Sequence, residues 1–572
     1  IYDNFNNLRC VVQPSGVKAL LAGSNAMTAT ILTEQCFRYE YDARNRMVQK
    51  QVPGAKSVYM VYDVLDRLVM TQDGNFRNPV SGSPSWLITY YENVLNRPVK
   101  TFLYPNTATF AAQITNAYKS NNYTVSGTYE TLTQTSYDKY PSLPTGLTAT
   151  LKNTWSSSFS TKTSLPPYPI PVADVSLTPV TTKGLLTYSY TKVLDNITPA
   201  TYLSSVQIYD ARGRVIQVQS QNYSGGTDYT TTQYCFDGRP LIMVTEQNKE
   251  TMNGQTGAIA QTTDILTILT YDILNRVSKT EKQVRNTLTN ANAWGTLVTT
   301  SVMKYNALGQ LAIKELGKKR GSGSYSVLPL ETQNFDYNIQ GWLLGMNRAY
   351  VWNSSLNQSQ NSDSYDVTTG EAFTASTGMP NYFGYDLGYD KFTSSEGGAI
   401  AYTYPVFTLQ QYNGNIVGVA WKGVNDARLR KYNFTYDAVN RLKDANFTQY
   451  ITGNFINSLT DFSSSVTGYD ANGNILGLVQ KGINYTNGVM GAITLDNLTY
   501  QYLDGSNKLK QVADISATNG AASTLGDFHY APGVSVKNTS DVDYSYDDNG
   551  NLKTDVNKRI TGINYNYLNL PQ

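Results

Sequence analysis

The chain has 572 residues, only 15% of them charged, and a formal net charge of +2. This balance gives no electrostatic basis for nucleic-acid binding, which needs concentrated lysine and arginine, and no run reaches the ~18 apolar residues of a membrane span. Tyrosine, in contrast, accounts for 45 residues. Aromatic and β-branched residues combined with Asn, Asp and Gly favour β-strands joined by tight turns.

The chain divides by repeat content into five segments. Residues 1–103 contain tyrosine–aspartate repeats, with a short helix or coil expected at residues 17–33. Residues 104–205 are Ser-, Thr- and Pro-rich and are predicted to form long strands with irregular loop. Repeats return at 206–345, a polar inserted loop is expected at 346–404, and repeats continue through 405–572.

The recurring unit is Tyr-Asp, variable residues, Gly or Asn, then Arg, Lys or Asn, then an aliphatic residue. Degenerate copies begin at Tyr2, Tyr91, Phe236, Tyr305, Tyr337, Tyr412 and Tyr502. The clearest copies place their turn-forming residues at Tyr41-Asp42, Tyr62-Asp63, Tyr209-Asp210 with Gly213, Tyr271-Asp272, Tyr436-Asp437, Tyr469-Asp470 with Gly473, and Tyr546-Asp547 with Gly550.

Each unit predicts a β-hairpin. An alternating strand such as 432–436 leads into the turn, where the Asp carboxylate can accept hydrogen bonds from backbone N–H groups two or more residues later. Gly or Asn then adopts the left-handed conformation, and the aliphatic residue begins the return strand. A single hairpin cannot bury its apolar face, so neighbouring hairpins must pack side by side. Their irregular spacing of about 20–45 residues argues against a propeller.

The sequence offers few residues for catalysis. His529 is the only histidine and has no glycine elbow or serine context, so we interpret it as a surface or partly buried residue. The repeat aspartates are expected to cap turns rather than to form a glycosidase pair. Asp470-Ala471-Asn472-Gly473-Asn474 is explained better as a turn than as a calcium loop, because the downstream Glu and the helices are missing. We therefore assign no catalytic residue, cofactor or metal site, and expect no enzyme.

Three cysteines, Cys10, Cys36 and Cys235, are too few and too widely spaced to define a disulfide framework. Their favoured interpretation is as small buried apolar residues, with a Cys10–Cys36 bridge left open in an oxidising compartment.

The repeats resemble the YD-repeat, or RHS-repeat, family over nearly the whole chain. The likeness is strongest to its Bacteroidetes branch, in the stretches Val52-Pro53-Gly54, Thr71-Gln72-Asp73-Gly74-Asn75, Lys183-Gly184-Leu185-Leu186-Thr187 and the terminal Ile563 to Pro571. The last stretch resembles the lead-in to the RHS-associated core. The chain is therefore expected to be a piece of a longer polypeptide.

The resemblance implies an all-β fold in which a long antiparallel sheet of strand–turn–strand units spirals into a hollow shell. In the family, the shell holds a C-terminal variable domain, often a toxin, and some members release it by autoproteolysis beside an Asp-Pro motif. No such residue can be carried over here, because that core would follow Gln572. Secretion through the type IX system is a further implication.

Three functions follow from this reading. The first is a secreted shell around a C-terminal cargo or toxin domain of the same polypeptide. The second is a cell-surface adhesion or interaction scaffold, and the third is a carbohydrate-active enzyme. The expected partners are the cargo domain and, outside the polypeptide, secretion machinery or cell-surface proteins. The expected location is secreted or at the cell surface.

Overall fold

A computed structural model of the chain confirms the all-β fold of antiparallel strands. The described residues form two compact units. The first comprises 1–132, 408–418 and 430–572, and the second comprises 133–407 and 419–429. The structure describes all residues except 24–25, 93, 120–122, 156–157, 160–169, 174–181, 195–200, 251–258, 318–328, 353–380, 391–406, 487–488, 517–525 and 535.

The first unit contains an N-terminal and a C-terminal series of hairpins. The N-terminal strands are β1 (Cys10–Val12), β2 (Cys36–Tyr41), β3 (Met47–Gln51), β4 (Val58–Tyr62), β5 (Leu68–Gln72), β6 (Ser85–Tyr91) and β7 (Pro98–Pro105), and each pairs antiparallel with the next.

In the second unit, thirteen described strands also pair antiparallel, each with the next: β8 (Glu130–Tyr137), β9 (Leu186–Lys192), β10 (Tyr202–Tyr209), β11 (Val215–Gln221), β12 (Thr227–Tyr234), β13 (Pro240–Lys249), β14 (Gln261–Tyr271), β15 (Val277–Asn286), β16 (Val298–Tyr305), β17 (Leu311–Leu316), β18 (Glu331–Tyr337), β19 (Leu343–Met346) and β20 (Phe383–Gly388). Strand β21 (Gly418–Gly423) follows.

The C-terminal series of the first unit contains β22 (Arg430–Tyr436), β23 (Leu442–Ile451), β24 (Asn454–Ile456), β25 (Ser464–Tyr469), β26 (Ile475–Thr486), β27 (Val489–Tyr502), β28 (Leu509–Asp514), β29 (Tyr544–Tyr546) and β30 (Leu552–Asp555). Strand β23 pairs with both β24 and β25, β25 to β28 pair in sequence, and β29 pairs with β30.

Short helices cover parts of the sheets. They are α1 (Pro14–Ala22), α2 (Ala29–Glu34), α3 (Gly74–Arg77), α4 (Phe110–Ala117) and α5 (Arg348–Trp352), with a 3-10 turn at Asn290–Asn292. Helices α1 and α2 confirm the helical alternative for residues 17–33. The side chains of Thr28, Asp73 and Thr109 cap α2, α3 and α4 by accepting a backbone N–H.

Separate apolar clusters fill the two units. In the first, Val61, Trp86, Ile88 and Phe102 of the sheet are fully buried and pack with Ala117 of α4. In the second, one cluster joins Trp155 and Phe159 to β13 and β14, and another joins Leu147 to β9, β10 and β11. All three cysteines are buried and free, as expected for small apolar residues.

The segment 104–205 differs from the prediction of long strands with loop, because it also contains helix α4. The repeat at Tyr137-Asp138 is complete, but its turn carries an insertion. Strand β8 ends at Tyr137, which pairs with Leu186 of β9, and Asp138 accepts a hydrogen bond from the Gly184 backbone N–H. The proline-rich stretch 166–171 lies largely outside the described residues.

The predicted inserted loop at 346–404 also lies largely outside the described residues. Its described parts are ordered structure, namely helix α5 and strand β20. The side chain of Arg348 forms an ion pair with the buried carboxylate of Asp386, with Nε 2.7 Å from Oδ1. The described ends of this segment are therefore packed into the second unit and are not solvated loop. None of the helices described is long and apolar enough to cross a membrane.

Within the first unit, the turns of the C-terminal hairpins dock on the N-terminal helices. Asn472 accepts a hydrogen bond from the Ser15 backbone N–H (2.8 Å) and donates one to the side chain of Gln35 (2.9 Å). Asn507 donates to the side chain of Gln13 (2.7 Å), and Gln35 donates to the carbonyl of Gly505 (2.6 Å). These contacts join residues more than 400 positions apart in sequence.

A second docking contact brings the turn of the β29–β30 hairpin against α3. The backbone N–H of Lys56 donates to the carbonyl of Asp548 (2.7 Å), and Asn549 donates to Asp73 (2.7 Å). Asn75 donates to Asp547 (2.8 Å). We name the contacts of residues 472, 505–507 and 547–549 with the N-terminal segment the interlock.

The interlock depends on close backbone approach at Gly74. A Cβ atom at this position would lie 2.8 Å from both the Cβ and the carbonyl oxygen of Asp548. We expect Gly74→Ala to lower the free energy of unfolding by about 1–3 kcal/mol, the usual cost of overpacking, and to expose residues 545–551 to hydrogen exchange. Gly562→Ala is the matched control, since a Cβ there meets nothing within 4 Å. Equal effects of the two substitutions in urea unfolding would contradict the close packing.

Candidate functional site

The repeat turns form the most regular constellation of polar side chains in the chain. In most turns, one carboxylate oxygen of the aspartate accepts two backbone N–H groups. Asp63 Oδ1 accepts those of Leu65 and Arg67, both at 3.0 Å, while Oδ2 accepts the side-chain Nε of Arg67 at 2.7 Å. The same pattern holds with Arg as the side-chain partner at Asp42, Asp210, Asp272 and Asp437, and with Asn at Asp547. Asp470 accepts one backbone N–H, that of Asn474, together with the Asn474 side chain.

The fourth residue of each turn adopts the left-handed conformation. It is Gly213, Gly473 or Gly550 in three copies, with φ between 72° and 92°. Other copies use Asn45, Asn275, Asn440 or Asp66, with φ between 59° and 67°. Glycine, Asn and Asp tolerate this conformation better than other residues, which explains the Gly-or-Asn position of the repeat.

The tyrosine of each repeat joins neighbouring hairpins. Its hydroxyl donates to a backbone carbonyl at the start of the preceding return strand, at distances between 2.5 and 3.1 Å. The acceptor is the first residue of that strand except at Ile416, which lies two residues before β21. The described pairs include Tyr62 to Met47, Tyr91 to Leu68, Tyr209 to Leu186, Tyr234 to Val215, Tyr271 to Pro240, Tyr305 to Val277, Tyr337 to Leu311, Tyr389 to Leu343, Tyr436 to Ile416, Tyr469 to Leu442, Tyr502 to Ile475, Tyr546 to Leu509 and Tyr565 to Leu552. Tyr41 ends β2 and closes its own hairpin by pairing with Met47.

The turn arginine covers the same tyrosine ring. The guanidinium carbon lies between 4.3 and 5.1 Å from the centroid of the next repeat's tyrosine, a cation–π geometry. The pairs are Arg46 with Tyr62, Arg67 with Tyr91, Arg214 with Tyr234, Arg239 with Tyr271, Arg276 with Tyr305, and Arg441 with Tyr469. We name this chain of contacts, from aspartate to arginine to the next tyrosine to a backbone carbonyl, the tyrosine ladder.

The hydroxyl bonds of the tyrosine ladder show that one predicted repeat begins at a different residue, and they identify two further repeat tyrosines. The degenerate copy expected at Phe236 begins at Tyr234, whose hydroxyl makes the ladder bond, while the following Cys235 occupies the aspartate position and pairs its backbone with Arg239. Phe236 lies exposed in the turn. Tyr389 and Tyr565 also make ladder bonds. The sequence pattern missed these because their following residues do not complete the motif.

The turn environment fixes the charge of the aspartates. The Arg441 backbone N–H, with its guanidinium, holds the pKa of Asp437 below its ordinary value. At Asp42 and Asp272, burial acts to raise the pKa, but hydrogen bonds from the turn outweigh it and the pKa is lowered. A lowered pKa means that these carboxylates contribute stability at neutral pH that is lost as the pH falls through the folded-state pKa.

Other polar groups of interest lie away from the turns. His529 is exposed, in a loop that follows β28. The second unit has a cavity of about 320 Å³, lined by residues that include Ile170, Val172, Arg212 and Phe236. Among the described residues, one group of three buried carboxylates, Asp496, Asp514 and Asp527, was missed by the sequence analysis. Successive members are 18 and 13 positions apart in the sequence, and they match no motif.

The comparisons with known proteins are distant. No family model and no curated protein matches the sequence. Among solved structures, the crystal structure of TcdB2-TccC3-TEV aligns with 99% of this chain and 26% of that chain, at 9% identity and a TM-score of 0.28. The Photorhabdus luminescens Tc holotoxin pore aligns with 100% and 26%, at 10% identity and a TM-score of 0.25. The chain thus spans about a quarter of these structures. Similarity at this level does not establish a common fold, so the fold rests on the strand pairing described above.

We predict that a turn ion pair contributes more to the free energy of unfolding when its side chains are more deeply buried. The side chains of Asp63 and Arg67 are 0% and 8% exposed, whereas those of Asp437 and Arg441 are 23% and 33% exposed. Asp63→Asn keeps an acceptor for the turn but removes the negative charge that faces the Arg67 guanidinium, and we expect a loss of about 3–5 kcal/mol in the free energy of unfolding. Asp437→Asn is the matched control and should cost less in urea unfolding. Equal losses would show that burial of the pair is not decisive.

Alkaline pH tests the tyrosine ladder. Burial, and then the charges of Asp470 and neighbouring tyrosines, raise the pKa of Tyr502 to about 12. The stability that this group contributes is therefore present below pH ~10, the unfolded value, and is lost as the pH rises toward the folded value. Tyr502→Phe should cost about 0.5–1.5 kcal/mol at neutral pH by removing the bond to Ile475.

The difference in stability between wild type and Tyr502→Phe should shrink between pH 10 and pH 12, measured by urea unfolding at each pH. Tyr485→Phe is the control, because Tyr485 is 73% exposed, and it should match wild type throughout. A difference for Tyr502→Phe that stays constant with pH would contradict the raised pKa.

Proposed function

We propose that the chain is the wall of a secreted shell that encloses a cargo domain of its own polypeptide, with a toxin as the favoured cargo. The single observation that carries this proposal is the interlock. Hairpins near residues 472, 505 and 548 return to dock on residues 13–78. A hairpin array whose late repeats return to its early repeats has the chain path of a spiral wall, and a spiral wall can surround a volume.

The ladder supports a wall function because it fastens each hairpin to its neighbour at the turns. A sheet protects its contents from proteases only if its strands do not separate and its edges are covered. In this chain, the strands pair continuously through β8 to β20, and the turns are held by tyrosine hydroxyl bonds and ion pairs. The proposed mechanism is steric and assigns no catalytic step to the chain.

The resemblance to YD repeats supports the choice of cargo and location. In that family the enclosed segment is a C-terminal variable domain of the same polypeptide, and the shell is exported. We extend both points to this chain as part of the proposal, together with the type IX route of the Bacteroidetes branch.

A specific observation favours a second candidate, a cell-surface interaction scaffold. Successive turns of the second unit expose large aliphatic side chains at their tips, with Ile273 70%, Leu308 80% and Ile339 95% exposed. Exposed apolar rows of this kind can mark a protein-binding surface. This function would use the outside of the same sheet and would not require an enclosed volume.

Small-angle X-ray scattering of the purified chain tests the shell. A solid domain of this length has a radius of gyration of about 25 Å. A closed wall should give a larger radius with a pair-distance distribution weighted toward long distances and a sharp cut-off. A long, slowly decaying tail, as for an open sheet, would reject the shell and leave the interaction scaffold.

Protection of a fused segment tests the cargo. The same unstructured, protease-sensitive peptide is joined either after Gln572 or before Ile1. Enclosure of C-terminal cargo predicts cleavage at least tenfold slower for the C-terminal fusion. The interlock variant Gly74→Ala should reduce the protection, and Gly562→Ala should not. Equal cleavage of the two fusions would count against encapsulation.

A further inference from the structure

Three carboxylates meet in the C-terminal series of the first unit. Asp496 lies in β27, Asp514 ends β28, and Asp527 lies in the loop that follows. One carboxylate oxygen from each lies within 4.8 Å of the others. Each residue is at least nine-tenths buried, with 6%, 6% and 8% exposure respectively. Three negative groups so close together and away from water need a compensating partner.

Backbone hydrogen bonds fix two of the three side chains. Asp496 Oδ1 accepts the backbone N–H of Phe528 at 2.7 Å. Asp514 Oδ1 accepts the N–H groups of Asn497 and Ser516, each at 2.9 Å, and Oδ2 accepts the hydroxyl of Ser516 at 2.7 Å. The two carboxylates are thus oriented by the hairpin and by the loop, and they retain unused lone pairs.

Asp527 supplies the second, independent observation. Both of its carboxylate oxygens are buried, and neither has a hydrogen-bond donor among the residues that the structure describes. A buried carboxylate without a donor loses its hydration and gains nothing in return, which is rare in native proteins. Because this side chain points at Asp496 and Asp514 instead, the missing partner belongs between the three groups.

The electrostatics agree with a missing positive charge. Burial raises the pKa of Asp527, and the charges of Asp496 and Asp514 raise it further, with His529 acting in the opposite direction. Burial likewise raises the pKa of Asp496. His529 is exposed, so it does not replace the lost hydration of the cluster.

We propose that Asp496, Asp514 and Asp527 form a calcium-binding site. The donors are all oxygens, which suit a hard cation, and no cysteine or histidine belongs to the group. One Ca²⁺ takes oxygen ligands at about 2.3–2.6 Å, so three oxygens within 4.8 Å of one another can share one ion. Ca²⁺ is favoured over Mg²⁺ because Mg²⁺ usually binds through only one or two carboxylates and keeps several waters. Water or backbone carbonyls would complete the Ca²⁺ shell.

The site would fasten β27, β28 and the following loop together. It lies on the β27–β28 hairpin, whose turn carries the interlock residues 505–507, so the ion would stabilise the strands that carry this part of the interlock. It differs from the sequence expectation of no metal, and from the Asp470 turn, whose two carboxylate oxygens accept the backbone and side-chain N–H groups of Asn474. The proposal does not depend on whether the chain is a shell.

Terbium luminescence of the full 572-residue chain tests the site, because Tb³⁺ replaces Ca²⁺ and is excited by nearby tyrosine. Tyr530 is close enough, since its hydroxyl lies 2.6 Å from the Asp514 backbone nitrogen. After treatment with a chelator, the wild type should show tyrosine-sensitised emission on adding Tb³⁺, and Ca²⁺ should displace it. Calcium alone should raise the melting temperature.

Asp527→Asn is the decisive variant because, in the described part of the chain, no N–H or hydroxyl group donates to the carboxylate that the substitution would remove. It should weaken Tb³⁺ and Ca²⁺ binding at least tenfold. It should also melt higher than the chelator-treated wild type, since it removes one of the three repelling charges. Asp504→Asn, at an exposed position in the β27–β28 turn, makes the same charge change and should bind like wild type.

Folding of each variant is checked by circular dichroism and by unfolding in urea. A folded wild type that neither binds Tb³⁺ nor gains stability from Ca²⁺ overturns the proposal and indicates that the carboxylates share a proton. Equal binding by wild type and Asp527→Asn overturns it as well, because the ion would then lie elsewhere.

Discussion

The bond from each tyrosine hydroxyl to the carbonyl of the preceding repeat is the interaction on which the fold depends most. Strand pairing holds the arms of a hairpin, but it stops at the turn, where the backbone groups face solvent. The tyrosine ladder supplies side-chain contacts that hold the turn in place. The aspartate orients the arginine, the arginine covers the next ring, and the ring delivers its hydroxyl to a carbonyl beside the previous turn. Each turn is thereby organised by its own residues and fastened to its neighbour.

Arg and Asn at the sixth position of the repeat occur in turns with different neighbours. Arginine repeats such as Arg67 and Arg276 reach across to the next tyrosine. Asn474 and Asn551 satisfy the same aspartate oxygen with a shorter side chain. These two belong to turns that dock in the interlock, where Asn472 and Asn549 approach the N-terminal segment closely. The shorter amides also donate to Asn507 and Asn569 of other turns.

Much of this arrangement could be predicted from the sequence, because the turn chemistry is local. The aspartate caps and the left-handed positions lie within six residues of the tyrosine, as at Tyr271 to Val277. The ladder acceptor could not be predicted, because any residue has a backbone carbonyl, and even Pro240 serves. Helix α4, the interlock and the three buried aspartates depend on contacts between distant segments that share no motif. The turn insertion after Asp138 concealed a complete repeat for the same reason.

A ladder that donates to backbone also explains why the repeats can diverge. Only the donor side constrains residue type, so the acceptor position varies freely among Met47, Leu68 and Val215. The turn itself tolerates a neutral version, since Asn306 accepts the backbone of Leu308 and Gln310 and donates to the Gln310 side chain. Loss of one polar group therefore weakens the contact between two neighbouring hairpins without altering the strand register. An array built in this way can lengthen its arms or accept insertions while its hairpins remain fastened to one another, as the proposed wall of irregular repeats requires.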